Sequence, residues 1–461
     1  MGKYFGTDGF RGEAGVTLTA DHAYKVGRFL GWYYGMLRQR NGEATTPRIV
    51  IGKDTRRSSY MFEYSLVAGL TASGADAYLL HVTTTPSVAY IARVDDFDCG
   101  IMISASHNPY YDNGIKLIDC YGEKMDEETL LLVEDYLDGK LHVFDQDWPE
   151  LPFASRDHVG CTVDYVSGRN RYMGYLISLG IYSFKGVKVG LDCANGSSWN
   201  IAKSIFDALG ADTYVINNKP NGLNINLNAG STHIEGLQKF VVENHLDIGF
   251  AYDGDADRCL AVDENGEVID GDFIMAICGL DMKSRGKLNK DCIVGTIMTN
   301  LGFVKCCEAN GIHFEATKVG DRYVLEEMLL ENYSFGGEQS GHVIFRDFAT
   351  TGDGQLTAAQ LLSILKQREA KLSSLKTVME RYPQTMVNIK VSPEGKLAFH
   401  TDPKVKKAIQ QATATLNGEG RVIVRPSGTE PLLRVMVEGR DLTLIEKLAN
   451  DISEVIKEEL V

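Results

Sequence analysis

Short apolar runs alternate along the chain with longer stretches in which apolar residues recur at helical spacing. Residues 48–52, 187–192 and 292–295 are three such runs, and a helical pattern follows each of them. Apolar runs of this length are typical of buried strands, and their alternation with helices predicts α/β units with mainly parallel strands. The three similar openings therefore predict three related α/β domains.

The C-terminal part of the chain has a different pattern. Residues 388–391, 421–425 and 432–438 have the pattern of strands, whereas 404–416 and a last stretch through Ile452 have helical spacing. This order predicts a smaller α+β domain. Loop-like stretches between these segments predict four domains, at residues 1–150, 156–253, 254–368 and 375–461.

Composition and charge narrow the class of protein. The chain has 461 residues, 44% of them hydrophobic, and a net charge of −15. That charge argues against broad binding to nucleic acid or to anionic membranes, and no apolar run approaches the roughly 20 residues of a membrane span. The nine cysteines include no CxxC pair, and the N-terminus lacks the apolar stretch of a signal peptide. We therefore expect a cytoplasmic protein with reduced thiols that binds neither nucleic acid nor membrane.

The segment ISASHNP, residues 103–109, is the first candidate for chemistry. Pro109 disfavours helix at Asn108, so Ser106 and His107 are expected on a turn that follows a buried strand at 99–103. A serine on a rigid turn at a strand end is well placed for a reaction. An ordinary polar turn would also contain such residues, so this segment alone leaves both interpretations open.

The segment DGDADR, residues 253–258, follows the apolar run 248–251 and carries three carboxylates at alternate positions. Asp253, Asp255 and Asp257 can converge if the backbone turns tightly, which Gly254 permits. Mg²⁺ prefers hard oxygen ligands in near-octahedral geometry, often with a substrate phosphate among them. A metal site is therefore favoured over a solvated acidic turn. An EF-hand is disfavoured because residues 260–262 have the pattern of a returning strand.

The segment RPSGTEP, residues 425–431, followed by Arg434, combines guanidinium groups with hydroxyl and backbone donors. Two arginine forks, Ser427, Thr429 and the N–H groups around Gly428 would cradle a phosphate. A hairpin loop with a cationic tip is the alternative. Phosphate binding is favoured because nearly every side chain is a donor or a turn former.

Three weaker signals complete the set. In GGEQSGH, residues 336–342, Glu338, Ser340 and His342 would share one face of an extended segment and suit vicinal sugar hydroxyls, although a polar turn is the alternative. Arg11 lies in a glycine-rich turn at residues 6–12. Lys116 lies ten residues after Ser106 and would by itself be a surface lysine.

Taken in order, GTDGFRG, ISASHNP, DGDADR, GGEQSGH and RPSGTEP resemble the α-D-phosphohexomutase superfamily along nearly the whole chain. The segments at 224–226, 230–233, 318–322 and 338–340 are more similar to its bacterial members that act on glucosamine phosphates. The resemblance implies four domains around a central cleft, three of them α/β and the C-terminal one α+β. It also implies an intramolecular phosphotransferase that interconverts glucosamine 6-phosphate and glucosamine 1-phosphate, for synthesis of UDP-N-acetylglucosamine and peptidoglycan precursors.

The resemblance also implies roles for individual residues. Ser106 would carry the phosphoryl group and would hold Mg²⁺ together with Asp253, Asp255 and Asp257. The catalytic set would be Ser106, Lys116, His107, Arg11 and His342, with Lys116 the first candidate for proton transfer if the site lowers its pKa. The substrate-binding set would be Glu338, Ser340, Arg322, Arg425, Ser427, Gly428, Thr429 and Arg434. A glucosamine or glucose 1,6-bisphosphate would serve as activator, although a kinase or autophosphorylation would also phosphorylate Ser106, and the resemblance suggests a homodimer.

Other functions remain open at this point. A metal-dependent phosphatase would use an aspartate of residues 253–257 as nucleophile, but it leaves Ser106 and the loop at Arg425 without a role. A non-catalytic sugar-phosphate sensor would not need the full set of Ser106, Lys116 and aspartates. Phosphoglucomutase or phosphomannomutase activity is the main alternative, since the sequence does not identify an acceptor for the C2 amine.

Overall fold

The computed structural model describes residues 2–426 and 432–461. These residues form two compact units. The first unit contains the chain up to Met298 together with Ile312–Thr377, and the second contains Thr299–Gly311 and Val378–Val461. The sequence predicts four domains rather than two units, and the limits of those four domains stay predictions.

The first sheet has seven strands in the order β1-β2-β6-β5-β3-β4-β9. Its strands are β1 (Phe5–Gly6), β2 (Gly9–Glu13), β3 (Arg48–Lys53), β4 (Asp76–Val82), β5 (Cys99–Ile103), β6 (Asp112–Asp119) and β9 (Thr162–Asp164), whereas β7 (His142–Val143) and β8 (Gln146–Asp147) pair with each other. The intervening helices are α1 (Ala20–Arg40), α2 (Arg57–Ala72), α3 (Thr85–Val94) and α4 (Glu127–Leu137).

The centre of this sheet follows from its sequence. β3 pairs in parallel with β4 and β5, and its residues Ile49, Val50 and Ile51 are fully buried. A parallel strand covered on both faces requires such a continuous apolar run. β6 then runs antiparallel to β5, so the chain leaves β5, turns through residues 104–111 and returns beside it.

The second sheet has the order β11-β10-β12-β13-β14. Its elements are α5 (Val166–Ser178), β10 (Lys188–Asp192), α6 (Ala202–Ala208), β11 (Asp212–Ile216), α7 (Glu235–Glu243), β12 (Ile248–Tyr252), β13 (Cys259–Asp263) and β14 (Val268–Ile269). β13 and β14 follow the predicted limit at Asp253 and nevertheless belong to this sheet. The turn between β12 and β13 therefore contains the segment DGDADR.

The third sheet has the order β16-β15-β17-β18. The elements of this part of the chain are α8 (Gly271–Ser284), β15 (Cys292–Thr296), α9 (Leu301–Ala309), β16 (His313–Thr317), α10 (Asp321–Leu330), β17 (Phe335–Gly337), β18 (Val343–Phe345), α11 (Gly354–Arg368) and α12 (Leu372–Leu375). Helix α9 belongs to the second unit and the sheet to the first.

The second unit contains an antiparallel sheet in the order β19-β21-β20. Its elements are β19 (Gln384–Lys390), α13 (Pro393–Ala398), α14 (Pro403–Leu416), β20 (Gly420–Pro426), β21 (Leu432–Gly439) and α15 (Leu442–Leu460). Asp441 caps α15 by accepting from the N–H of Leu444, and Ile445, Ile452 and Ile456 of that helix are buried. This is the small α+β arrangement that the sequence pattern predicts.

Two further expectations concern the whole chain. All nine cysteines lie within the described residues and are free thiols, with only Cys120 and Cys161 exposed. In the part of the chain that the structure describes, no helix combines the length and the apolar character that crossing a membrane requires.

Candidate active site

Ser106 lies on the turn between β5 and β6 and is 1% exposed. Its backbone has a left-handed φ of 52°, and its N–H donates to Ser104 Oγ at 2.9 Å. The Ser106 hydroxyl donates to Asp253 Oδ2 at 2.6 Å. The turn therefore directs the serine side chain towards the acidic segment.

Three buried aspartates face this serine from the turn between β12 and β13. One carboxylate oxygen from each of Asp253, Asp255 and Asp257 lies within 4.8 Å of the others. Among the described residues, Asp255 Oδ1 and Asp257 Oδ1 are buried without a hydrogen-bond partner. Buried carboxylate oxygens in that state fit a hard divalent cation, so the residues present suit Mg²⁺.

Gly254 allows the two turns to meet. A Cβ at this position would lie 2.4 Å from the carbonyl oxygen of Ser106. Any larger residue would push the aspartates away from the serine, which is a steric reason for glycine here.

Lys116 on β6 lies on the other side of the aspartates. Its Nζ donates to Asp255 Oδ2 at 2.6 Å and to Asp257 Oδ2 at 3.3 Å, and the residue is 7% exposed. Burial lowers the pKa of Lys116, but the carboxylates of Asp255 and Asp257 outweigh it and raise the pKa well above its usual value. The lowering of the Lys116 pKa that proton transfer requires therefore stays a prediction, because two anions contact the ammonium group here. A divalent cation bound to the same carboxylates would oppose this effect.

His107 lies next to the serine and is held by Arg258. Arg258 Nη1 donates to His107 Nδ1 at 3.1 Å, and the Arg258 N–H donates to Asp253 Oδ1 at 3.2 Å. Burial and the positive charges of Arg258 and Arg11 lower the pKa of His107 to about 4. The imidazole is thus neutral with a lone pair on Nδ1. Arg258 was not selected from the sequence, although it ends the segment DGDADR.

The segment around Arg11 is fixed by Lys124. Arg11 lies on β2 beside Gly114 of β6, and its Nη2 is 3.4 Å from Asp8 Oδ2. Lys124 Nζ donates to the carbonyl of Thr7 at 2.8 Å, to Asp8 Oδ1 at 3.0 Å and to Asp321 Oδ1 at 2.7 Å. Lys124 was missed because its partners are distant in the sequence and no local motif surrounds it.

His342 is 3% exposed and lies between carboxylates rather than beside the serine. Its Nδ1 is 3.8 Å from Asp257 Oδ1, and its Nε2 is 3.5 Å from Asp321 Oδ2. Burial lowers the pKa of His342, but Asp321 and Asp257 outweigh it and raise the pKa to about 9. The N–H of Gly352 lies 3.0 Å from Nε2 and can donate to it only in the neutral ring, so this contact opposes the protonated form that the two carboxylates favour. Positive charge bound at Asp257 would favour that neutral form.

The remaining candidates of the first unit are Glu338, Ser340 and Arg322. Glu338 Oε1 accepts from the N–H of Gly320 at 3.1 Å, and burial raises the pKa of Glu338. Ser340 Oγ is buried without a hydrogen-bond partner among the described residues. A cavity of about 260 Å³ is lined by Lys116, Arg322, His342 and other residues, but neither Glu338 nor Ser340 lines it.

Arg425 and Arg434 lie in the second unit, where they face each other across the antiparallel pair β20–β21. Burial and the charge of Arg434 lower the pKa of Arg425. Ser427, Gly428 and Thr429 lie outside the described residues.

Comparison with known proteins gives matches along the whole chain. Models of the phosphoglucomutase/phosphomannomutase family match in order: alpha/beta/alpha domain I at residues 2–141, domain II at 171–266, domain III at 270–382 and the C-terminal domain at 386–455. A phosphoglucosamine mutase of Lachnospira eligens is 60% identical over 457 residues, which is 99% of each chain. One from Lachnoclostridium phytofermentans is 57% identical over 459 residues, covering 100% of this chain and 99% of the relative.

Solved structures agree on the fold. A family protein from Burkholderia thailandensis superposes with a TM-score of 0.81 at 22% identity, covering 99% of this chain and 98% of that one. Aspergillus fumigatus N-acetylphosphoglucosamine mutase, in complex with GlcNAc-6P and magnesium, has a TM-score of 0.68 at 17% identity, covering 99% and 95%. The predicted four-domain α/β architecture is thereby confirmed. The chain belongs to the phosphoglucomutase/phosphomannomutase family of the phosphohexomutase superfamily, and its close relatives there are bacterial phosphoglucosamine mutases.

Proposed function

We propose that this enzyme is an intramolecular phosphotransferase that interconverts glucosamine 6-phosphate and glucosamine 1-phosphate. The observation that carries the proposal is the buried Ser106 hydroxyl, hydrogen-bonded to one of three clustered aspartates. Two relatives that match this chain over nearly their full length, at 57% and 60% identity, are phosphoglucosamine mutases. This similarity supports the amino sugar as substrate.

Asp253, Asp255 and Asp257 would hold Mg²⁺ together with a phosphoryl group on Ser106. The ion, when bound, offsets negative charge on the transferring group. Arg11 and Arg258 add fixed positive charge near the serine, and neutral His107 orients the serine turn through its contact with Arg258.

A phosphoserine intermediate follows from the geometry of the substrate. Two hydroxyls at opposite ends of one ring cannot exchange a phosphoryl group directly. The free sugar hydroxyl therefore attacks phosphorus on Ser106, the bond from phosphorus to Ser106 Oγ breaks, and a bisphosphate forms. The bisphosphate then reorients in the site so that its other phosphate faces Ser106, and that phosphoryl group is transferred to Ser106.

Lys116 is the group that we propose to move the proton. It takes the proton of the attacking sugar hydroxyl and gives it to the released Ser106 Oγ, so that charge and protons balance and Lys116 is neutral again. For this role Lys116 must lose its own proton first, which positive charge at Asp255 and Asp257 favours. His342, which lies between Asp257 and Asp321, would position Asp257 instead.

The phosphate that does not react would be held by Arg425 and Arg434 with Ser427, Gly428 and Thr429. Arg425 and Arg434 lie opposite each other on β20 and β21, so one anion could accept from both guanidinium groups. Glu338, Ser340 and Arg322 would contact the sugar. The same phosphate contacts would serve both orientations of the ring.

Several finer points belong to the same proposal. A glucosamine or glucose 1,6-bisphosphate would first phosphorylate Ser106 and so activate the enzyme. The product would feed synthesis of UDP-N-acetylglucosamine and peptidoglycan precursors in the cytoplasm, and the enzyme would act as a homodimer. Sugar phosphates, rather than nucleic acid or membrane, would be its partners.

Substrate competition tests the proposal. Phosphorylated enzyme with Mg²⁺ and a trace of bisphosphate should show a kcat/KM at least about a hundredfold higher for the glucosamine phosphate than for glucose or mannose phosphates, or about 2.7 kcal/mol at the transition state. Comparable values would keep the mechanism but assign the enzyme to phosphoglucomutase or phosphomannomutase activity.

A further inference from the structure

Two buried side chains from separate parts of the chain hold the backbone of the serine turn. Arg56 Nη2 donates to the carbonyl of Ser106 at 3.2 Å and to that of Asn108 at 2.6 Å. Asn226 Nδ2 donates to the same two carbonyls, at 2.9 Å and 3.1 Å. Arg56 is 0% exposed and Asn226 is 6% exposed, so these donors do not exchange freely with water.

The turn needs such support. Ser106 has a φ of 52°, which is a left-handed conformation. Residues other than glycine rarely adopt it, and it persists only where the surrounding structure holds it. In this conformation the hydroxyl contacts Asp253, and Gly254 lies against the Ser106 carbonyl. The contacts on the carbonyls thus fix the backbone of the residue that carries the reacting oxygen.

Both donors are themselves fixed. Arg56 Nη1 pairs with Asp54, whose other oxygen accepts from Ser59 Oγ at 2.8 Å. Asn226 donates its own N–H to the carbonyl of Ala194 at 2.8 Å. The Asn226 side-chain oxygen is buried without a hydrogen-bond partner among the described residues. Its amide therefore serves here through its N–H group alone.

From this geometry we infer that Asn226, together with Arg56, is a positioning residue for phosphoryl transfer, a role that rests on the proposed function. Asn226 lies between β11 and α7. The part of the chain that forms the second sheet therefore supplies the three aspartates and also a side chain that supports the serine turn. Asn226 does not touch the reacting oxygen. It acts by holding Ser106 in the one conformation from which its oxygen faces the aspartates.

The substitution Asn226→Asp removes the hydrogen-bond donor of this side chain but keeps its shape. The aspartate has the same size and also tolerates a left-handed backbone, but its carboxylate donates nothing to the two carbonyls. Asn228→Asp is the matched control, because Asn228 is exposed and also left-handed, with a φ of 49°. Both variants add one negative charge to the same loop.

For N226D we expect kcat to fall about 10- to 100-fold, the effect of losing two hydrogen bonds, with KM within about twofold of wild type. Transfer of phosphate from isolated phosphoenzyme to sugar phosphate should slow equally in single turnover. The phosphorus NMR resonance of the phosphoserine should shift or broaden. A role in folding alone would not change the last two measurements in enzyme that remains folded. N228D should match wild type in all of them.

Arg56→Lys is a second variant that tests the same positioning role, and it replaces N226D as the test if N226D does not fold. Lysine keeps the charge, but its single ammonium group cannot reproduce the planar fork, so the same loss in kcat is expected. A kcat within twofold of wild type, or an equal loss in N228D, would overturn the inference. If wild type and N228D themselves form no phosphoserine and do not turn over the sugar phosphate, the proposed function fails instead.

Discussion

Replacing Lys116 by methionine should make the stability of the enzyme depend strongly on a divalent cation. Lys116 Nζ neutralises Asp255 and Asp257, which are 0% and 6% exposed. Methionine has a similar length but no charge. The variant therefore leaves Asp255 and Asp257 buried beside Asp253 without the ammonium group that contacts both of them.

The size of the effect follows from this burial. Removing one partner of a buried ion pair costs about 3–5 kcal/mol, because the other charge is left without compensation. A cation that binds the folded enzyme restores about 2.7 kcal/mol at a hundred times its dissociation constant. In the wild type the ammonium group already neutralises the same two carboxylates, so the wild type should gain less stability from Mg²⁺. Loss of the proton-transfer group should also lower kcat by about 10²- to 10⁴-fold.

The assay is thermal unfolding in EDTA and in excess Mg²⁺, followed by turnover. Lys140→Met is the matched control, because Lys140 Nζ also faces two carboxylates, Asp135 at 3.2 Å and Asp138 at 3.7 Å, but its side chain is 63% exposed. Removing it should change stability by no more than about 1 kcal/mol, with or without Mg²⁺. If K116M were as stable as wild type in EDTA and gained no more from Mg²⁺, the reasoning about a cation site at these aspartates would be refuted.

Three further outcomes are expected. Arg425→Ala should raise KM for the sugar phosphate more than it lowers kcat, and an unchanged KM would argue against phosphate binding at this residue. Lys124→Met should lower both kcat and the unfolding temperature, because Asp8 and Asp321 lose their shared partner; a variant indistinguishable from wild type would contradict this. Burial raises the pKa of Asp353 from 3.8 to about 6, so its ionisation opposes folding as the pH rises between these values. The unfolding temperature of Asp353→Asn relative to wild type should therefore rise from pH 4 to pH 6, and a constant difference would contradict the shift.

Local patterns in the sequence were sufficient to predict where the reactive turns lie. Ser106 follows the buried strand β5, and the three aspartates follow β12, because apolar runs of five residues indicate buried strands whose ends present polar side chains. The small C-terminal sheet was also predicted, since its strands and helices differ clearly in period.

The groups that hold these turns in place could not be predicted in the same way. Arg56, Lys124 and Asn226 act through partners that are 50 to 197 residues away in the chain. The charge states of the site residues could not be predicted from the sequence for a similar reason. The pKa of Lys116 depends on whether carboxylates 139 and 141 residues away touch its ammonium group, and no local pattern carries that information.

The proposed mechanism requires that Ser106 carries the phosphoryl group during turnover. The most direct test is to phosphorylate the enzyme with labelled hexose bisphosphate, locate the label by peptide mass spectrometry, and chase it with unlabelled glucosamine 6-phosphate. We expect label on Ser106 that passes to the sugar at least as fast as kcat, and no label in Ser106→Ala. Label on an aspartate of residues 253–257, or turnover by Ser106→Ala, would contradict it.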